Sequence, residues 1–216
     1  DLFYDADRYV FSFSKLDAAE TKRFGRIRNN ATHLYTMNAD GSEINQVTNI
    51  PNIVDVDPVW LPSGEIVAAS MRSRFASQCT PGFRYVTTLW RFSADGEEAV
   101  ALGNNKEFDR YPHVLDTGEI IYLHWEYLER HFYQPHTVWT VRPDGTQATT
   151  VFKQHVTTGP YSVRHTQQVP GERMVAGVAC GHHEYDMGPI IRVDYTEAIN
   201  NLDAARYVTP GVSRNI

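Results

Sequence analysis

Four side chains in this sequence are of types that suit soft or borderline metal ions: Cys79, Cys180 and the adjacent pair His182 and His183. Their spacing matches no standard zinc pattern, and only Cys180-Gly181-His182-His183 is local. Cys79, His182 and His183 form the candidate set for zinc or another metal. The alternative is that they are hydrogen-bonded residues bracing their loops. The two cysteines could also pair or stay free. A second group is basic and aromatic. Arg72, Arg74 and Arg130 could hold a carboxylate, a phosphate or a haem propionate, or pair internally with Glu126, Glu129, Glu184 or Asp186. The stretch LHWEYLERH, residues 123–131, concentrates His124, Trp125, Tyr127, Arg130 and His131. Trp125 and Tyr127 alternate with Glu126, so one side can pack on the scaffold while the other faces water, with packing the expected role of Trp125.

Other chemistries have no foothold. The sequence contains no nucleophile elbow, H-E-x-x-H, P-loop or G-x-G-x-x-G. Asp55 and Asp57 resemble half of a cation site and read better as caps on the turn into a strand. There is no C-x-x-C-H, so this chain carries no c-type haem attachment of its own. A net charge of -6 and the lack of a basic stripe give no reason to expect nucleic acid as a partner. The longest apolar runs are short, such as Ile66–Ala69, so no membrane span is expected.

The elements that must position these residues come from an internal repeat. HLYTMNADGSEINQVTN (33–49), TLWRFSADGEEAVALGN (88–104) and TVWTVRPDGTQATTVFK (137–153) each read as strand, D-G turn, strand. Their turn glycines, Gly41, Gly96 and Gly145, lie 55 and 49 residues apart. Between them, DVDPVWLPSGEIVAAS (55–70) matches FDRYPHVLDTGEIIYL (108–123), and SVRHTQQVPGERMVAG (162–177) is a weaker copy. DADRYVFSFS (5–14) reads as the back half of such a copy, and residues 188–210 as a hairpin with an enlarged turn. The reading is all-β: a β-propeller of four-stranded antiparallel blades, about four of them, forming part of a larger propeller. A sandwich would not repeat the D-G and G-E-I landmarks in register. The blades are assigned to 1–49 (incomplete, without its opening strand), 50–104, 105–153 and 154–216. A chain that starts on Asp1 in mid-blade is expected to be a fragment of a longer polypeptide.

With strands a to d running outward from the axis, the b–c loops and d–a connections share one end of the disc. The b–c loops are 14–32, 71–86, 124–136 and 180–188. They carry the metal, arginine, histidine and aromatic candidates named above, though not Asp55 and Asp57, so the sequence predicts one loop-rich face on a rigid scaffold.

LYTMNADGSEINQVTN followed by DVDPVWLPSGEIVAAS resembles the repeats of TolB-type propellers. SMRSRFASQC, LWRFSADG, YPHVLDTGEIIYLHWEYLER, TVRPDGT and AGVACGHH, in that order, resemble the middle domain of the hydrazine synthase alpha subunit and its relatives, over roughly residues 5–210. His124 departs from the arginine that relatives tend to carry there. The resemblance implies a propeller inside a larger exported protein, periplasmic or extracellular, whose chemistry belongs to c-type haems elsewhere. It implies an accessory module that docks a c-type cytochrome or the rest of a larger polypeptide, with haem supplied only by that partner and with Cys79 and the Gly181-His182-His183 stretch facing a cofactor or metal; the docking face is the loop-rich one that carries Arg72, Arg74, His124, Trp125, Tyr127, Arg130 and His131. Two other readings stay open: a TolB-like propeller binding a protein or peptide, and a metalloenzyme built on Cys79, His182 and His183.

Overall fold

A computed structural model describes residues 2–3, 7–14, 31–79, 85–127, 136–156, 158–181 and 186–209. Its strands run, in chain order, β1 (Leu2–Phe3), β2 (Arg8–Ser14), β3 (Thr32–Asn38), β4 (Asn45–Gln46), β5 (Asp55–Trp60), β6 (Ile66–Ser70), β7 (Thr88–Phe92) and β8 (Ala99–Ala101). They continue as β9 (Asp109–Val114), β10 (Ile120–Trp125), β11 (His136–Val141), β12 (Thr149–Phe152), β13 (Ser162–Gln168), β14 (Met174–Cys180), β15 (Ile190–Asp194) and β16 (Ala205–Tyr207). Two single 3-10 turns, Met71–Ser73 and Leu202–Ala204, are the helical elements among the described residues.

The chain meanders in antiparallel hairpins, giving sheets β1-β2-β3-β4 and β5-β6-β7-β8 and a third sheet that joins β9 through β12 to β13 through β16. The first sheet opens with β1 paired to β2, where the sequence pattern showed no strand. Two residues are too few to display an alternation. The D-G turns close the c–d hairpins: Asp40 Oδ1 accepts from Ser42 N at 2.9 Å, and Asp144 Oδ1 accepts from Thr146 N at 2.9 Å. Asp194 does the same for Thr196, opening the enlarged last turn that ends in the 3-10 turn before β16.

β6 and β10 are buried along their whole length. Such strands need apolar residues on both faces, because a neighbouring four-stranded unit covers each face. Three clusters fill the seams. Val10, Leu34 and Val47 meet Trp60, Ile66 and Phe92. Val67, Leu89 and Leu102 meet Ile120, Tyr122 and Val141. Val138 and Phe152 meet Val163, Val175, Ile191 and Val193. Each seam also has a backbone link from the start of strand c in one unit to the start of strand a in the next. Thr32 bridges Val54, Asp109 N donates to Thr87 O at 2.8 Å, and His136 N donates to Tyr161 O at 3.0 Å. Gly96 lies in the outer turn of the second unit, at the first seam, with φ +78°, and a Cβ there would sit 1.9 Å from the Val47 carbonyl oxygen. Only glycine permits that approach.

The same irregularity recurs on strand a of three units. The register slips between Val56 and Val59 on β5, opposite Leu123 to Ile121 on β9, and between Arg164 and Gln167 on β13. The first bulge residue is left-handed each time: Asp57 (φ +54°), Tyr111 (φ +54°) and His165 (φ +53°). Pro58 and Pro112 take the second position, where a missing N–H costs no ladder bond.

Candidate functional site at the b–c end of the sheets

The b–c end is built from the starts of strands a and c and the ends of strand b. In the second unit Asp55 opens β5 opposite Ser70, and Ser70 lies opposite Thr88. In the third unit Asp109 opens β9 opposite His124, and His124 lies opposite Thr137. Two residues on, Trp90 Nε1 donates to Thr88 Oγ1 at 3.1 Å and Trp139 Nε1 donates to Thr137 Oγ1 at 2.8 Å. One scaffold position therefore holds Asp-Ser-Thr-Trp in one unit and Asp-His-Thr-Trp in the next.

The two copies differ in charge. Asp55 is fully buried; its Oδ1 accepts from Ser70 Oγ at 2.5 Å and lies 3.6 Å from Arg72 Nε. Arg72 also stacks its guanidinium over Phe92, 4.9 Å from the ring centroid. Asp55 Oδ2 and His33 Nδ1 are buried with no hydrogen-bond partner among the described residues. Burial holds the His33 imidazole below its ordinary pKa; Asp55 opposes the shift and Arg72 adds to it.

In the third unit the carboxylate meets an imidazole. His124 Nδ1 lies 2.7 Å from Asp109 Oδ1, and Nε2 lies 3.3 Å from Glu126 Oε1. Asn105 Nδ2 donates to the same Asp109 oxygen at 2.9 Å and to the Trp125 carbonyl at 3.0 Å. Trp139 flanks the imidazole at 4.3 Å between ring centroids. Burial by itself lowers the His124 pKa, but the bonds to Asp109 and Glu126 outweigh it and push it up to about 9. The same contact holds the half-exposed Glu126 carboxyl below its usual range. His124 is thus a buried imidazolium clamped between two carboxylates.

A second polar chain follows the bulges along the inner strands. Asp57 accepts from Arg110 Nε at 2.5 Å and from Tyr111 N at 3.2 Å. Tyr111 packs on His165 at 3.9 Å between centroids and donates its hydroxyl to Asp186 at 2.9 Å. Arg164 reaches Asp186 at 2.5 Å and His165 reaches it at 3.0 Å. Burial opposes ionisation of Asp186, but bonds from Arg164, His165 and Tyr111 hold its carboxyl down at about 2. Desolvation first, and then the Asp186 carboxylate, push the Tyr111 phenol up to about 12.

The candidates from the sequence distribute as follows. His124, Trp125 and Tyr127 lie together, with Trp125 buried against Phe108 and His136 and edge-on to Tyr127. Arg72 is half-buried on Asp55, while Arg74 is exposed and caps its 3-10 turn in the left-handed region. Arg130, His131, His182 and His183 lie outside the described residues. Neither cysteine is in a disulfide: Cys79 is partly exposed and its backbone N donates to Ser77 Oγ at 3.1 Å, and Cys180 is buried with its Sγ 3.6 Å from the Val178 carbonyl oxygen. Among the described residues no cluster of three His, Cys, Asp or Glu side chains could hold a metal ion.

Two expectations are corrected. Asp55 and Asp57 do not cap a turn: each lies within β5, and side chains from other strands claim their carboxylates. Asp186 serves Arg164 and His165, and Glu126 serves His124, while Arg72 takes Asp55. The residues missed were Asn105, Asp109, Tyr111, Arg164 and His165. Aligning Asp55 with Asp109 and Thr88-x-Trp90 with Thr137-x-Trp139 is the signal that pointed to the buried copies.

No protein-family model and no curated protein sequence matches the chain. Solved structures do. Hydrazine synthase of Kuenenia stuttgartiensis superposes with a TM-score of 0.77 at 13% identity, over 97% of this chain and 32% of that one. A putative TolB from Agrobacterium tumefaciens gives 0.64 at 15% identity, over 96% of this chain and 63% of that one. TolB from Acinetobacter baumannii gives 0.55 at 14% identity, over 90% and 40%. The chain thus spans less than two thirds of each of these structures. At these identities the likeness establishes a TolB-like propeller fold. The sheets do not close into a ring among the described residues.

Proposed function

We propose that this chain is a binding module, a stretch of β-propeller within a larger exported protein, which docks a second protein or domain with its b–c face. The carrying observation is the build of that face. Charged and aromatic groups, Arg74, Glu126 and Tyr127, adjoin two polar clusters that fix the backbone beside them: buried Asp55 with Ser70 in the second unit, and buried Asp109 and His124 with half-buried Asn105 in the third. A rim of charge and aromatics over a rigid base suits recognition of a folded partner. The likeness to TolB structures supports the module and the export; the likeness to hydrazine synthase supports a finer reading, a c-type cytochrome domain as the docked partner. In that reading haem belongs to the partner and the arginines of this face meet its propionates.

The test is a visible absorption spectrum and cross-linking mass spectrometry on the protein as isolated from its native source. A haem spectrum, with cross-links from residues 71–79 and 124–127 to a haem-bearing chain or domain, is the expected result. A colourless protein cross-linked through this face to a haem-free partner would remove the cytochrome and keep the docking module. Elemental analysis of the same sample addresses the remaining reading, a metal held by Cys79, His182 and His183. Stoichiometric zinc lost in Cys79→Ser would favour it.

A further inference from the structure

Every four-stranded unit presents one residue of strand c and one of strand d side by side toward the unit that follows. Backbone bonds fix the equivalence: Val47 N donates to Leu34 O at 2.8 Å, Leu102 N to Leu89 O at 2.9 Å, and Val208 N to Ile190 O at 2.8 Å. In the third unit the pair is Val138 and Phe152, opposite each other in register. The strand c residues are exposed by 0% (Leu34), 2% (Leu89), 1% (Val138) and 48% (Ile190). The strand d residues are exposed by 7% (Val47), 5% (Leu102), 1% (Phe152) and 52% (Val208). The first three pairs are covered by the b and c strands of the next unit. The cover is Ile66 and Phe92, then Ile120 and Val141, then Val175 and Val193. The last pair has the same chemistry and lies bare.

The first unit shows the mirror of this. Register places Tyr9, Phe11, Tyr35 and Met37 where the second unit has Ile66, Ala68, Trp90 and Phe92. In the second unit those positions pack on the unit before; in the first, Phe11 stacks on Tyr35 at 5.8 Å and Phe13 stands exposed beside them. One open face is aliphatic and the other aromatic, and the chain's own first sheet does not cover Ile190 and Val208.

We infer that the β14–β16 face is a docking surface for the b and c strands of a further four-stranded blade, one outside these sixteen strands. The repeat dictates the occupant's chemistry. It presents a branched aliphatic on strand b and a branched or aromatic residue on strand c, as Ile66 and Phe92, Ile120 and Val141, and Val175 and Val193 do. Burial of apolar surface drives the contact, as at the three seams already formed. The inference rests on the propeller fold and is independent of the haem-docking reading. A haem-free protein leaves it standing.

Maleimide labelling of Ile190→Cys and Val208→Cys, with Cys79→Ser and Cys180→Ala as background, tests it in this chain and in the natural full-length polypeptide. Hydrogen exchange of the β15 and β16 amides, which needs no substitution, reads the same surface should the variants fold poorly. Free labelling in a monomeric 216-residue chain, slowed about tenfold or more at full length, is the expected result. Rapid labelling in both overturns it. Protection already present in the monomer means that the first sheet closes the ring, and protection with a doubled mass means that a second copy is the occupant. Either result also overturns it.

Discussion

Replacing His124 by glutamine removes a charge that the fold holds at a pH where a free histidine has lost it. His124 is raised from 6.5 to about 9 because Asp109 and Glu126 outweigh its burial. A histidine bound more tightly to its proton in the folded state stabilises the fold fully below pH 6.5, and loses that contribution as pH climbs through 9. At about 1.4 kcal/mol for each tenfold change in proton affinity, the rise is worth about 2–4 kcal/mol. The half-exposed Glu126 supplies less of this than the buried Asp109, because water screens it. Urea unfolding of wild type and His124→Gln from about pH 6 to about pH 10 measures it as a difference. Taking the difference matters because Lys153 titrates in an overlapping window with the opposite sign and cancels between the two proteins. The gap between the curves shrinks by about 2–4 kcal/mol across the window. An NMR titration of the His124 imidazole gives the midpoint directly. A pH-independent gap, or a midpoint at or below 6.5, refutes the charged clamp and makes the Asp109 contact a neutral hydrogen bond.

Lys153 is buried, donates to the Pro160 carbonyl and lies 5.3 Å from the Tyr161 ring centroid; burial pulls its ammonium down to about 8. Its folded pKa lies below the unfolded one, so it costs stability at neutral pH, and that cost fades as pH rises from about 8 to 10.5. Lys153→Met is expected to stabilise the protein by about 1–2 kcal/mol at neutral pH in urea unfolding, after the lost carbonyl bond is counted. Gly96→Ala would drive a methyl group into the Val47 carbonyl and cost about 3 kcal/mol or more, whereas Gly64→Ala, in open space at φ +83°, costs about 1–2 kcal/mol. Thermal melts of the two variants side by side separate seam contact from backbone strain. Leu89→Ala opens a cavity in the seam between the second and third units and costs about 2–5 kcal/mol, while Ile190→Ala in this chain changes stability by less than about 1 kcal/mol.

The local signals in the sequence determined the hairpins. Asp40-Gly41 and its copies demand a left-handed residue at a tight turn, and apolar runs such as Ile66–Ala69 demand cover on two sides. Both depend on neighbours within a few residues, so the repeat, the all-β character and the shared end of the b–c loops were legible. The same logic put Trp125 and Tyr127 on one side of Glu126. The partners of the charged groups were decided only in three dimensions. Asp55 meets Ser70 across a hairpin, Asp57 meets Arg110 in the next unit, and Asp186 collects Tyr111, Arg164 and His165 from two units. Those meetings depend on three bulges whose left-handed residues are Asp57, Tyr111 and His165. Pro58 and Pro112 were visible as landmarks, but a proline marks a bulge only once the strand around it is known to be paired. A charge finds its partner according to which strands adjoin, and strand adjacency is a property of the packed sheets, set by the seam clusters.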